Sequence, residues 1–282
     1  MNNPILLDGK KLSEKLLTRL KDNFGEKSKE YKLIILTVGD DPASKVYVKN
    51  KIRACNMIGI QHEHVIVDEN IEQQNFIDLL FKLMEDNPKN TGIILQLPAP
   101  PMLAEIFDKV IDGKFGVDGF DFTNKSLLYT DGEPFYYPAT PKGIILLLKN
   151  HNIKIEGKHV VIIGRSDIVG KPLANIMLRE NATVTVCHSK TQNLSDITRM
   201  ADILIVAVGK PKLINETYIK DGVTIIDVGI NRTESGLCGD VDFDRVVSKC
   251  HAITPVPGGV GPMTVYSLIE NILSTSMYNN LE

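Results

Sequence analysis

The chain has no tryptophan, only four cysteines in 282 residues and only a small excess of acidic over basic residues. Each of these lacks excludes something. Cys55, Cys187, Cys238 and Cys250 form no C-x-x-C pair, and no histidine joins them at zinc spacing, so neither a redox dithiol nor a metal site is expected. His62 and His64 would share a strand face, but no third ligand accompanies them, and a surface strand explains them. Thiols this sparse suit a reduced, cytoplasmic protein. The longest apolar runs, such as ILIVAV at 203–208, fall far short of the ~20 residues that a bilayer-spanning helix needs. The N-terminus, MNNPILLDGKK, lacks the basic-then-apolar order of a secretory signal. No membrane partner is expected. A net charge of −3 without a basic block argues against nucleic acid as a partner.

What the chain does contain is alternation. KLIILTVG (32–39) is a short apolar run rich in β-formers and reads as a buried strand. Asp41-Pro42 then opens a helix over 43–58 that Gly59 stops, since proline in a first helical turn loses no hydrogen bond. A strand at 62–68 and an amphipathic helix at 71–86 follow, the helix with Phe76, Leu79, Leu80 and Leu83 on one face. GIILQLP (92–98) reads as a third strand that its prolines terminate. After Gly119 the pattern lapses into a loop-like region until about residue 139, where Thr140-Pro141 starts a helix through Lys149. A second alternation then runs HVVIIG (159–164), helix 171–180, TVTVC (183–187), a short helix near 194–200, ILIVAVG (203–209) and VTIIDVG (223–229). Strands separated by helices favour parallel sheets with right-handed crossovers. The fold class expected is α/β with a domain boundary near 120–140.

The stretch VVIIGRSDIVGKP (160–172) is a strand ending at Gly164, a tight turn, and a helix opened by Gly170. Free N–H groups at a helix start suit a pyrophosphate. The usual G-x-G-x-x-G is not complete, because Ser166 stands where the second glycine would be, so a plain strand-to-helix turn also explains it. The next such turn, TVTVCHSKT (183–191), carries His188, Ser189 and Lys190 and no acid. An acid there often takes the ribose 2′-hydroxyl of NAD; cations and a hydroxyl, with Arg165 in the first turn, suit the 2′-phosphate of NADP. Lys190 alone is equally well a solvated surface charge.

SKVYVKNK (44–51) places Ser44, Tyr47 and Lys51 at helical spacing on one face. Tyr-x-x-x-Lys is also the spacing of the short-chain dehydrogenases, but there it follows the nucleotide turn, and here it precedes Gly164 by more than a hundred residues. The order fits another family. VGDDPASKVYVKNK (38–51), ILQLPAP (94–100), VDGF (117–120), PATPKGI (138–144), VVIIGRSDIVGKPLA (160–174), CHSKT (187–191), DVGIN (227–231), GDVDF (239–243) and PVPGGVGPMT (255–264) occur in the order of the bifunctional methylenetetrahydrofolate dehydrogenase/cyclohydrolases, which the chain resembles over most of its length.

The resemblance implies two domains flanking a cleft: an N-terminal α/β folate-binding domain, 1–139, completed by a C-terminal helix in 264–282, and a Rossmann-like NAD(P)-binding domain with a parallel sheet, 140–263. It implies oxidation of 5,10-methylenetetrahydrofolate by NADP+, then hydrolysis of the methenyl product to 10-formyltetrahydrofolate, chemistry of one-carbon metabolism and purine biosynthesis, by a cytoplasmic homodimer. Its catalytic set is Tyr47, Lys51, Gln96 and Asp118. Lys51 is the acid/base of the hydrolytic step and Gln96 its hydrogen-bond partner; a glutamine can hold a lysine without adding the charge that would raise its pKa. Tyr47 offers an aromatic face to the folate and Asp118 reads the amino-pyrimidine edge. Ser44, Pro257, Gly258, Gly259 and Gly261 complete the folate side; Gly164, Arg165, Ser166, Gly170, Ser189 and Ile230 hold the cofactor. Without the family, Gln96 is a polar strand end and Asp118-Gly119 an ordinary turn.

The chain also departs from the family pattern. Phe115-Gly116 replaces the usual Lys-Asp, and Asp121 to Ser126 replaces His-Pro-x-Asn-x-Gly with only Asn124 kept. Ala139 replaces the cysteine of Pro-Cys-Thr-Pro. These changes flank the expected folate pocket, so loss of one activity, or a non-catalytic nucleotide-binding role, stand as the alternatives.

Overall fold

The computed structural model describes residues 4–39, 41–130, 132–234 and 236–278. In chain order its elements are β1 (Ile5–Leu6), α1 (Gly9–Phe24), β2 (Lys32–Val38), α2 (Pro42–Ile58), β3 (Gln61–Val67), α3 (Gln73–Asp86), β4 (Thr91–Leu95), α4 (Pro101–Val110), α5 (Phe122–Tyr129) and α6 (Ala139–Asn150). They continue with β5 (His159–Ile163), α7 (Gly170–Arg179), β6 (Thr183–Cys187), α8 (Leu194–Thr198), β7 (Ile203–Val206), β8 (Val223–Asp227), β9 (Asn231–Thr233), β10 (Gly236–Cys238), α9 (Phe243–Val246), β11 (Cys250–Ile253) and α10 (Val260–Ser274). The chain divides into two compact units, one of residues 15–139 and 265–282, the other of residues 1–14 and 140–264.

The first unit holds a parallel sheet in the order β3-β2-β4. Strands β2 and β4 are almost wholly buried, as their unbroken Ile/Leu/Val runs require. Phe76, Leu80 and Leu83 of α3, with Leu103 and Phe107 of α4, pack on Ile34, Leu36 and Ile93 of the sheet. Each such side chain, fully buried, contributes about 1.5–3 kcal/mol. Edge strand β3 leaves His62 and His64 exposed, with His64 Nε2 2.9 Å from the Thr37 hydroxyl.

The second unit holds a six-stranded parallel sheet in the order β1-β11-β8-β7-β5-β6. Because β6 and β7 lie on opposite sides of β5, the winding reverses at β5. The carboxyl end of that strand is therefore the switch point at which open α/β sheets bind ligands. β1 reaches this sheet by pairing Ile5 and Leu6 with Ala252 and Ile253.

Three boundaries differ from the sequence expectation. β4 stops at Leu95, so Gln96 follows the strand rather than lying in it; the paired register of β2 and β4 ends at Leu36 and Leu95. The region read as loop contains α5, a two-turn helix that Asp121 caps by accepting from the Asn124 backbone N–H. α10 begins at Val260 and closes at Ser274 in a 3-10 turn over Thr275–Tyr278, so the glycine-rich loop runs directly into the helix. Among the described residues no helix is long and apolar enough to cross a membrane.

Candidate active site

The buried face of α2 is set by the spacing Ser44, Val48, Lys51, Cys55. Ser44, Val48 and Cys55 are buried and Lys51 is half-buried among them. An ammonium on that face exchanges water for protein, and desolvation draws Lys51 well below the usual lysine range. Its Nζ donates to Gln96 Oε1 at 2.8 Å. Gln96 is itself fixed. Its backbone N–H donates to Leu36 O, and its side-chain amide donates to Leu97 O, which leaves the amide oxygen for the lysine. Strand alternation carried one residue past β4 sets Gln96 on the face opposite Ile93 and Leu95, which pack with α3 and α4.

Asp118 lies in the electrostatic field of Lys51. Burial raises its carboxyl well above the usual carboxylate range; Lys51 opposes that shift, while Asp121 and Asp108 reinforce it. In return Asp118 works against the lowering of Lys51. Desolvation is the largest cause for both groups, lowering the lysine and raising the carboxyl. The turn after Asp118 requires glycine: Gly119 has φ +73°, and a Cβ there would stand 2.7 Å from Tyr136 O. The Asp-Gly turn and the facing carboxylate are thus one feature. Asn271 of α10 donates to Val117 O and Tyr137 O, tying the last helix to this loop.

The remaining folate-side residues are placed as follows. Ser44 is buried, and its backbone N–H lies 3.3 Å from Asp41 Oδ1. Tyr47 projects outward, 46% exposed. In the second unit, Pro257 is exposed, Gly258 has φ +112°, and a Cβ on Gly259 would meet Pro255 O at 2.6 Å. Gly9 approaches so closely that its own Cβ would overlap Gly259 O, and the Lys10 N–H donates to Gly258 O. Gly261 lies beside Ile230: a Cβ on the glycine would stand 3.7 Å from Ile230 Cδ1.

At the switch point, Gly164 has φ +134°, and a Cβ there would stand 2.3 Å from Ala207 O. A Cβ on Gly170 would meet Gly164 O at 2.2 Å. Both glycines are needed for the strand to turn back into α7. The turn exposes Arg165 and Ser166 just ahead of the helix start; Ser166 Oγ accepts from the Val169 N–H, and its carbonyl accepts from the Lys171 N–H. Ser189 and Lys190 are exposed just after the neighbouring strand β6. Exposed cations and hydroxyls at the carboxyl ends of two adjacent strands fit a phosphorylated dinucleotide.

Two buried carboxylates of this unit have no part in the sequence reading. Asp240 accepts from three successive backbone N–H groups, Val208, Gly209 and Lys210, and from Asn231 Nδ2. Asp227 accepts from the N–H groups of Gly229, Asp240 and Val241, and its carboxyl is pushed up to about 6 by burial. Together they lock the loop that follows β7 to the loop that presents Ile230. Their strings, DVGIN and GDVDF, stand out in the sequence, but only their bonds reveal what the aspartates do.

A doubly wound unit with a ligand-binding switch point, joined in one chain to an α/β unit that holds a half-buried lysine on a glutamine, defines the class of dinucleotide-linked enzymes. Comparison with known proteins narrows the class. Residues 7–114 match the tetrahydrofolate dehydrogenase/cyclohydrolase catalytic domain, and residues 138–280 match the NAD(P)-binding domain of the same family. The bifunctional protein FolD of Agathobacter rectalis is 51% identical over 94% of this chain and 96% of its own. The FolD methylenetetrahydrofolate dehydrogenase/cyclohydrolase of Campylobacter jejuni superposes with a TM-score of 0.92 at 44% identity, over 96% of this chain and 98% of that one. The Trypanosoma brucei methylenetetrahydrofolate dehydrogenase-cyclohydrolase, solved with NADP and an inhibitor, superposes with a TM-score of 0.89 at 30% identity over the full length of both chains. The chain belongs to the tetrahydrofolate dehydrogenase/cyclohydrolase family. Its activities are those of a methylenetetrahydrofolate dehydrogenase and a methenyltetrahydrofolate cyclohydrolase, in folate one-carbon metabolism.

Proposed function

We propose that this chain oxidises 5,10-methylenetetrahydrofolate with NADP+ and hydrolyses the methenyl product to 10-formyltetrahydrofolate, with Lys51 as the base of the second step. The observation that carries the assignment is the 2.8 Å bond from Lys51 Nζ to Gln96 Oε1 on a desolvated helix face. A lysine in water is charged at neutral pH and cannot take a proton; one drawn down by burial can. Neutral Lys51 removes a proton from water as its oxygen bonds to the methenyl carbon, which carries the cation shared by N5 and N10. Lys51 then returns that proton to N5 as the C–N5 bond breaks, and the second proton of the attacking water leaves the hydroxyl for solvent as the C=O forms, so the formyl group stays on N10 and one proton is released overall. Gln96 holds the amine in place without adding charge.

Asp118 accepts the neighbouring N–H donors of the pterin and fixes the ring's register. Tyr47 and Ser44 position the folate from α2, and the Pro257–Gly261 loop lets backbone approach a flat ligand closely. In the dehydrogenase step the folate nitrogens supply the electronic push, so the protein contributes orientation rather than a strong base. Gly164, Arg165, Ser166, Gly170, Ser189 and Ile230 would hold NADP+, whose nicotinamide accepts the hydride when bound. Arg165, with Ser189 and Lys190 after β6, supports NADP+ over NAD+. The folate-binding domain is the unit built on residues 15–139 and the C-terminal helix, and the enzyme works as a cytoplasmic homodimer.

A single time course tests the reading. The purified protein is mixed with 5,10-methylenetetrahydrofolate and NADP+ or NAD+, and NADPH and the methenyl absorbance are followed separately. NADPH formation without methenyl build-up, with 10-formyl product, is expected. Methenyl accumulation in step with NADPH would remove the hydrolytic role of Lys51, and equal rates with NAD+ would remove the cofactor assignment. Light scattering at twice the chain mass is the expectation for the dimer.

A further inference from the structure

The loop that bears Asp118 is clasped from behind by a residue to which the mechanism above gives no part. Asp121 is fully buried. One carboxylate oxygen accepts from the Asn124 backbone N–H at 2.9 Å and the other from Asn124 Nδ2 at 2.6 Å. Asn124 extends the grip: its Nδ2 also donates to Gly113 O at 3.0 Å, and its Oδ1 accepts from the Tyr136 N–H at 3.0 Å. The Tyr136 hydroxyl donates to Lys114 O at 2.7 Å. Asp121 also covers Gly116, where a Cβ would stand 2.6 Å from Oδ2 and 3.1 Å from Cγ. Gly116 O in turn accepts from the Gly119 N–H, closing the turn that carries Asp118. A side chain at 116 therefore has no room over Asp121.

We propose that Asp121 is a positioning residue for the folate reactions: it fixes the turn that aims Asp118 and, as a second buried acid, sets the pH range over which Asp118 can receive the substrate. The proposal rests on the roles given above to Lys51 and Asp118. The charged and titratable groups around this loop are Lys51 and Cys55 of α2, Asp108 of α4 with its ion-pair partner Lys125 of α5, Asp112 and Lys114 of the loop itself, and Tyr136 and Tyr278. Lys51 favours the ionised form of Asp118, whereas Asp121 and Asp108 disfavour it. Burial raises the Asp121 carboxyl above the usual carboxylate range, the neutral donors of Asn124 favour its ionised form, and the clasp adds no opposite charge.

The test is the pH dependence of methenyltetrahydrofolate hydrolysis by Asp121→Asn and Asp121→Ser, with Lys51→Met as a control. Serine keeps an oxygen at the helix cap, so it covers the case in which the asparagine variant fails to fold. The expectation is that the acid limb of 1/KM, which reports binding to ionised Asp118 apart from the Lys51 limb in kcat, moves to lower pH by about half a unit or more, because an uncharged neighbour lets Asp118 ionise earlier. The plateau should also drop by about three- to tenfold as the turn loosens, mainly through KM. A uniform loss at every pH with the limb unmoved would make Asp121 a structural cap only and overturn the proposal. Hydrolysis that survives in Lys51→Met would instead sink the reading of Lys51 on which the proposal rests.

Discussion

A lysine becomes a base where water is excluded and no carboxylate keeps its proton in place. Lys51 meets the first condition through its place on the buried face of α2; its hydrogen-bond partner Gln96 adds no charge, and Asp118 is the carboxylate that pulls the other way. Lys51→Met should lower hydrolysis by about 10²–10⁴-fold, the usual worth of a general acid/base, and leave NADPH formation far less affected; separate assays of the two steps check this. Gln96→Glu should raise the lysine pKa, so that the acid limb of the hydrolysis profile, which requires neutral Lys51, moves up by about one unit or more and the rate at neutral pH falls about tenfold. A profile that stays in place would mean that Gln96 does not govern the proton. At this scale much was legible. The α2 face follows from residue spacing, and the pairing of Lys51 with Gln96 follows from the family strings. The opposed influence of Lys51 and Asp121 on Asp118 was not legible, because it depends on which buried groups the fold brings together.

Elements decide how firmly these groups are held. The 113–119 loop is packed against Asp121 and Asn124, so Gly116→Ala forces a Cβ onto a buried, hydrogen-bonded carboxylate that cannot swing away. A loss of about 1–3 kcal/mol is expected, read as a lower urea midpoint at unchanged slope. In the other unit, Asp240→Ala leaves the amides of Val208, Gly209 and Lys210 without their acceptor. Buried donors left unpaired cost about 1–3 kcal/mol each, and water entering the gap would offset part of it. Lower stability should come with a raised KM for NADP+, since the loop after β7 and the one bearing Ile230 lose their common anchor. Unchanged cofactor affinity would confine Asp240 to folding. The strand-to-helix turn at Gly164 and Gly170 was visible from composition. Helix α5 was not, because its two turns carry only a weak apolar period and its start depends on a capping contact by Asp121.

At the scale of the whole molecule, buried carboxylates give stability a pH dependence of known sign. Asp118 has its folded pKa raised by burial, so its contribution is fully present below the ordinary carboxylate range and is lost as pH rises through the raised value towards neutrality. Asp227, at about 6, acts in the same direction. Asp202 has a lowered pKa, set chiefly by its bond from Lys220, and acts in the opposite direction as pH falls. The difference isolates one group: the thermal midpoint of Asp118→Asn minus that of the wild type should grow as pH rises from about 4 towards 7. A constant difference across that range would mean that Asp118 ionises in the fold as it does in water.

The sequence by itself determined the two α/β alternations, the nucleotide turn, the helix that carries Lys51 and the family. These depend on local periodicity, on glycine and proline positions and on short strings, all written within a few neighbouring residues. Only the tertiary structure decided that Ile5–Leu6 join the second sheet and that Asp121 packs onto Gly116 in the loop that bears Asp118. Each of these is a contact between residues that local pattern does not link. Long-range strand pairing, burial and the field of a second carboxylate exist only once the chain has closed on itself.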